Sequence, residues 1–449
     1  MRRQWWWPAL AMFAAGYGAN QFVPLLALYR RTLALSDADA TAVFGVYALG
    51  LIPGLIFGGR ISDRRGRRPV MVAFTALSLL ATAVLMTGQW GMAGLYAGRL
   101  LTGLVSGTVF TAGTAWVKEL SGDECAGTGA RRAALALTAG FGIGPLVAGP
   151  LAQWGPAPQV LPYIVHLALA GSALLMLPRA RETVSGARKS DPPAPLLPPS
   201  ASSARFRLVV VPLGPWVFGS VTLAFTTLPG HGTGPTGVLG VAFPGLLAAG
   251  ALAAGVVSQP LGRRMHEAGA AHGSTAAAVT GLGIVAAGCA AAAFATAFPG
   301  IATATTAALM LGAGYGICLI VGLREVEEIA APGQLGAVIA LFYSLAYSGL
   351  AVPYLLALIA PTTGYPQALL FTSAAATLTL AAVFLTGQRS CRARPELKEC
   401  KPAKAATLPP PSSGHAVSDP PRHEQITSHS ATNTKDATAT NKNGPPQGP

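Results

Sequence analysis

An all-α integral membrane protein, with twelve transmembrane helices in two pseudo-symmetric six-helix bundles, is the fold class that the sequence predicts, and three observations predict it. The first is composition: 51% of the 449 residues are hydrophobic and only 11% are charged, with a mean hydropathy of +0.48. A soluble chain carries roughly 25% charged residues, so this one lacks the polar surface to coat a globule of its length, and a bilayer is its natural solvent. The second is segmentation. A transmembrane helix needs about 20 apolar residues, and twelve stretches qualify as spans 1 to 12: 5-29, 41-59, 70-89, 92-117, 133-153, 160-178, 208-228, 236-260, 272-298, 300-323, 335-360 and 365-387. The third is the placement of charge. Of 31 Lys and Arg, 28 lie at the termini or in and beside the loops after spans 2, 4, 6, 8 and 10, while the loops after spans 3, 5, 7, 9 and 11 hold none. The positive-inside rule then puts the even loops and both termini in the cytoplasm, and twelve spans agree with two ends on one side.

Charge and cysteine usage narrow the function classes. A net charge of +14 could suggest nucleic acid, but its sorting by membrane side fits anionic headgroups better, so the expected partners are the lipid bilayer and a small molecule, with no nucleic acid. Five Cys without a C-x-x-C pair argue against a disulfide scaffold or a zinc module, and neither a cofactor nor a metal is expected.

Span 1 begins like a signal peptide, with Arg2 and Arg3 before an apolar run. The run continues to Tyr29 without a small-residue cleavage site, so it is kept as a span, with Trp5, Trp6 and Trp7 as an interfacial anchor. Tyr17, Asn20 and Gln21 place polar groups mid-span, where they face a cavity or bond across helices. After span 1, Asp37 follows Ser36 as a helix-start signal. With Asp39 it could hold a divalent cation in a polytopic membrane transferase, the one enzyme reading available, although no other outer loop contains an acid.

Between spans 2 and 3 the chain reads Gly59-Arg60-Ile61-Ser62-Asp63-Arg64-Arg65-Gly66-Arg67-Arg68. Gly59 and Gly66 permit a tight turn and close helix approach, Asp63 suits a helix N-terminus, and the arginines can pair with Glu119 at the end of span 4. Arg99 is the one charge inside the twelve spans. Such a placement costs roughly 2.5-3.5 kcal/mol on the lenient insertion scale and marks a polar cavity or partner. Span 5 carries Gly140, Gly144 and Ala148 at four-residue spacing, with Pro145 and Pro150 interleaved, a face suited to close packing. His166 in span 6 reads as a neutral packing residue.

Residues 179-207 are basic and Pro/Ser-rich, dividing the chain into a first bundle, 1-178, and a second, 208-387. The polar segment 388-449 is expected to be a disordered cytoplasmic tail. A weak internal echo supports the division: Lys118-Glu119 ends span 4 as Arg324-Glu325 ends span 10, and Leu261 to Glu267 echoes the basic loop after span 2.

The string Gly59 to Arg68 resembles the loop 2-3 motif of the major facilitator superfamily and falls where that family places it. Twelve helices, the six-plus-six division and the long central loop agree, so the resemblance covers about residues 5-387. It implies that Gly59, Asp63, Arg64, Gly66, Arg67 and Arg68, with Glu119 as partner, form a latch between the halves in the outward-facing state. It also implies that spans 1, 4, 7 and 10 line the substrate path, adding Trp216 and Tyr315 to Tyr17, Asn20, Gln21 and Arg99. Arg99-x-x-x-Gly103 with Gly107 resembles the family's helix 4 motif, with Thr102 where Gln is frequent. Gly140-x-x-x-Gly144-Pro145-x-x-Ala148-Gly149 resembles a helix 5 motif of its exporters. The implied function is a monomeric secondary transporter in the cell membrane, exporting a small organic molecule by alternating access, with an importer or facilitator as the alternative. Coupling to a proton or other ion is implied by the resemblance alone, since no Asp or Glu lies within the twelve spans. A cavity with Arg99 and no acid disfavours strongly cationic substrates.

Overall fold

In hydrocarbon every backbone polar group must be satisfied internally, and these apolar runs satisfy it as helix. The computed structural model describes residues 4-122, 128-184, 197-233, 239-270, 274-331 and 334-392, with helices and no strand among the described residues. Those residues belong to one unit, Met1–Pro395. The middle of the expected central loop, 185-196, and the expected tail from 393 onward lie outside the described residues.

Span 1 is two helices, α1 (Trp6–Asn20) and α2 (Phe22–Thr32). Pro24 has no N–H to offer the Asn20 carbonyl, which explains why the chain breaks there instead of running through as expected. The first half continues with α3 (Asp37–Arg65), α4 (Arg67–Met86), α5 (Met92–Ser121), α6 (Thr128–Trp154) and α7 (Leu161–Met176). The second half has α8 (Val211–Thr226), α9 (Leu228–His231), α10 (Ala242–Ala270), α11 (Ala276–Ala297), α12 (Ile301–Ile329), α13 (Leu335–Ser348), α14 (Val352–Thr363) and α15 (Tyr365–Arg392). Spans 7 and 11 are interrupted like span 1, beside Pro229 and Pro353, because proline again removes a helical donor.

Several helices outrun the apolar segments. α3 passes through most of the basic motif to Arg65, so the expected loop between spans 2 and 3 is a single residue, Gly66, with φ +103°. Gly59 is therefore neither a turn nor a close approach: it lies within α3, and a Cβ there would sit 3.7 Å from Thr111, an ordinary contact. α12 likewise reaches Ile329 and carries Glu325, so a carboxylate does lie on a spanning helix, near its end.

Helix pairing repeats between the halves. α3 packs on α5 and α4 on α5 in the first, as α10 packs on α12 and α11 on α12 in the second. The first pairing is lined by small residues: a Cβ on Gly103 would overlap the Tyr47 carbonyl, one on Gly107 the Leu51 carbonyl, and one on Gly50 the Leu100 carbonyl. In the second half Gly312 and Gly316 stand the same way against the Ala251 and Gly255 carbonyls. With no hydrophobic drive between helices in lipid, such backbone approach supplies the dispersion contact that holds them. Gly103→Val is expected to lower stability by about 1-3 kcal/mol through overpacking, whereas Gly59→Ala should be close to neutral. Thermal unfolding in one detergent checks the pair, and equal effects would overturn the assignment of the close approach.

Candidate functional site

Between the halves lies a cavity of about 440 Å³, including its open mouth. The first half contributes Asn20, Phe44, Tyr47, Arg99 and Phe141; the second contributes Phe218, Val221, Thr222, Phe225, Leu252, Tyr315, Tyr347 and Leu350. Asn20, Arg99 and Tyr315 are therefore together at one site. Phe218, Val221, Thr222 and Phe225 recur at i, i+3, i+4 and i+7, a single stripe of α8, and this periodicity was the signal available in the sequence. Trp216 falls outside that stripe. It is not on the cavity wall as expected, but donates from Nε1 to Thr379 Oγ1 at 3.1 Å, against α15.

Tyr17 and Gln21 also leave the expected wall. Tyr17 is buried with its ring parallel to His166, centroids 6.2 Å apart, because its face of α1 packs inside the first half. Gln21 is fully buried at the break between α1 and α2. His166 meets Thr82 Oγ1 through Nδ1 at 2.7 Å and serves packing.

Arg99 is 1% exposed. Its Nη1 donates to the Ala19 carbonyl at 3.0 Å, next to the break in span 1, and its Nη2 to the Phe44 carbonyl at 3.2 Å. The guanidinium carbon stands 4.7 Å from the Phe22 ring centre, 5.2 Å from Phe44 and 4.5 Å from Tyr47. Carbonyl dipoles and the negative faces of three rings thus stabilise the charge in place of a carboxylate. The buried position removes the snorkelling alternative for this side chain.

The helix 5 motif sits on two seams. A Cβ on Gly140 would overlap the Phe13 carbonyl and one on Gly144 would stand 2.6 Å from the Tyr17 carbonyl, so these glycines seat α6 on α1. Ala148 is fully buried beside them. Gly149 faces Ala242 and Pro145 faces Gly245, both on α10 of the other half. Gln153 Oε1 accepts from the Val241 amide at 2.7 Å just beyond.

At this end, opposite the basic motif, side chains also join the halves. Asp37, in the first turn of α3, pairs with Arg30, accepts from Tyr365 Oη at 2.6 Å, and has His231 Nε2 3.0 Å from Oδ2. The His231 ring stacks on Tyr365 with centroids 3.7 Å apart. Asp39 closes a capping box with Ser36, accepting from the Ser36 amide while its own amide donates to Ser36 Oγ. Both carboxylates are thus engaged in holding structure, which leaves the transferase reading without its metal ligands.

At the basic end Arg67 is buried and pairs with Asp63 at 2.6 Å and Glu119 at 3.1 Å, while Nη1 donates to Ser62 Oγ at 2.6 Å. The Arg64 and Arg68 side chains are exposed. Asp63 is not at a helix N-terminus as expected. Because α3 runs on to Arg65, Asp63 occupies its last turns, and the acceptor at the start of α4 is Glu182, which takes the Arg67 and Arg68 amides at 3.0 and 2.9 Å. Nothing in the local sequence announces Glu182, since it arrives from beyond span 6. Arg205, at the end of the connecting segment, pairs with Glu325 of the second half, which is 1% exposed, and His266 Nε2 lies 2.8 Å from Glu328 Oε1.

The Major Facilitator Superfamily model matches residues 8–353. Among curated proteins, multidrug resistance protein MdtL of Escherichia coli K12 / DH10B is 28% identical over 107 residues, 24% of this chain and 27% of that protein. The Shigella boydii serotype 18 protein of the same name matches equally. The chain thus spans about a quarter of these relatives' length. Among solved structures, a POT family transporter in complex with 5-aminolevulinic acid has TM-score 0.70 at 12% identity, covering 87% of this chain and 97% of that one. The nucleoside transporter NupG has TM-score 0.67 at 12% identity, covering 86% and 99%. At such identities these two speak for the fold.

Burial raises the pKa of the Glu182 carboxyl, but the amides of Val184, Arg68, Arg67 and Thr183 outweigh it and hold the group below its ordinary value. With the folded value below the unfolded one, its contribution is present above the unfolded pKa and is lost as pH falls through the folded one. Wild type is expected to exceed Glu182→Gln in melting temperature at neutral pH, with the gap closing below about pH 4. A gap that persists in acid would show that the charge is not what caps α4.

Proposed function

The chain belongs to the Major Facilitator Superfamily and is a multi-pass membrane transporter, and from that premise we propose that it exports a small organic molecule from the cytoplasm by alternating access. The observation that carries this reading is the cavity at the seam of the halves, gathered under contacts that run from mid-bundle to the end opposite the basic motif: α3 with α13 and α14, α2 with α10, and α6 with α10. The basic end is taken as the cytoplasmic one in this reading, with both termini assigned to that side, and the distribution of Lys and Arg supports it. The conformation is then closed to the outside. The chain acts as a monomer in the cell membrane, in two halves, 1-178 and 208-387, joined by 179-207.

Export over import is supported by the exporter-like helix 5 motif at the seam and by the partial similarity to multidrug resistance protein MdtL. Asp63, Arg67 and Glu119 are assigned to the latch of the opposite, outward-facing state; in the present state Arg67 holds Asp63 and Glu119 within its own half. Arg30, Asp37, His231 and Tyr365 are the outer gate. Among the described lining residues no carboxylate faces the cavity, so ion coupling has no acidic carrier beside the substrate.

Reconstitution into liposomes with imposed proton or sodium gradients tests the function: a small aromatic compound is expected to accumulate against its gradient when a proton gradient is applied, and indifference to every gradient would remove ion coupling. Asp37→Asn is expected to speed labelling from outside of a cysteine introduced by Phe225→Cys by about tenfold, equivalent to about 1.4 kcal/mol of gate stability. Unchanged labelling would sink the gate assignment. Arg67→Ala is expected to lower that labelling and slow transport, since the latch it removes holds the outward-facing state.

A further inference from the structure

We propose that the cavity selects amphipathic aromatic carboxylates, the carboxylate pairing with Arg99 and the ring lying on the aromatic wall. The proposal rests on the transporter reading above and names its substrate class. Its first support is charge: among the described lining residues Arg99 is the charged one, and no Asp or Glu stands beside it to balance it. Two of its nitrogens donate to main-chain carbonyls, and its Nε, buried, has no acceptor among the described residues. A guanidinium presents five N–H donors in a planar fork that matches a carboxylate. In a low-dielectric site the unused donor and the unbalanced charge favour an anion and repel a cation.

The second support is the rest of the wall. Seven of the thirteen lining residues are aromatic, and rings prefer offset-stacked or edge contacts with another ring, beyond the area they bury. From the second half Phe218 and Tyr347 already stack at 4.1 Å and Phe218 meets Tyr315 at 5.6 Å, a preformed platform opposite Arg99. A dianion would lose far more hydration than a single guanidinium returns, so one carboxylate is the charge that fits.

The test is titration calorimetry on the full chain in lipid nanodiscs with three probes of one skeleton: naphthylacetate, naphthylethanol and naphthylethylamine. Naphthylacetate is expected to bind at least about tenfold more tightly than the amine, the scale of one charge-assisted hydrogen bond. Arg99→Lys should retain the order with weaker binding, and Arg99→Gln should bring the acid to the level of the alcohol. An amine that binds as tightly as the acid, an acid preference that survives Arg99→Gln, or binding of none of the three would overturn the proposal. Where Arg99→Gln fails to insert, the wild-type ranking decides alone. Naphthylacetate that binds but is not moved in liposomes removes the transport reading and leaves the substrate class, while transport of the amine alone does the reverse.

Discussion

A guanidinium buried without a carboxylate is the constraint on which the first half depends. Arg99 reaches the carbonyls of Ala19 on α1 and Phe44 on α3 from its own place on α5, and Phe22 of α2 covers it. One side chain therefore ties together the elements that form one wall of the cavity. This is feasible because Gly103 and Gly107, one and two turns further on, let α5 approach the α3 backbone. Gly312 and Gly316 repeat the close approach in α12, but the position one turn before Gly312 is Ala308. The halves thus share a packing scheme and differ in charge: one carries the cation and the other the larger share of the rings.

The small residues of α6 show how one motif serves two interfaces. Gly140 and Gly144 settle α6 on α1 within a half, whereas Pro145 and Gly149, turned by the helical period, meet α10 of the other half. In the alternating-access reading proposed above, movement of one half against the other opens the second contact and spares the first. The aromatic pairs Phe44 with Phe225 and Tyr47 with Tyr347 cross the same seam within the cavity wall. They lack the directional demands of hydrogen bonds, so they can separate at a modest cost.

Ionic contacts gather at the helix ends. Asp37 and Glu325 lie on helices that outrun the apolar segments, and each has a basic partner brought by a different element: Arg30 and His231 for the first, Arg205 and His266 for the second. Glu119 and Glu325, which close the echoed strings Lys118-Glu119 and Arg324-Glu325, each receive an arginine, Arg67 and Arg205 respectively. The duplication legible in the residues thus extends to the pairs they make.

The sequence by itself determined that the chain crosses a membrane in helices, roughly where each begins, which loops are basic, and that Arg99 stands alone among apolar neighbours, because hydropathy and charge are properties of single residues and short windows. It also carried the motifs of α5 and α6, since a glycine every fourth residue defines a helix face before any partner is known. Which face meets what was decided only in three dimensions. Trp216 and Phe218 are two residues apart and equally aromatic, yet a turn of about 200° sends one to α15 and the other to the cavity. Asp63 and Glu182 could each have capped α4; the run of α3 to Arg65 settled the matter for Glu182. The Asp37 cluster was least legible of all, because Asp37, His231 and Tyr365 are distant in sequence, and only the docking of the two halves makes them neighbours.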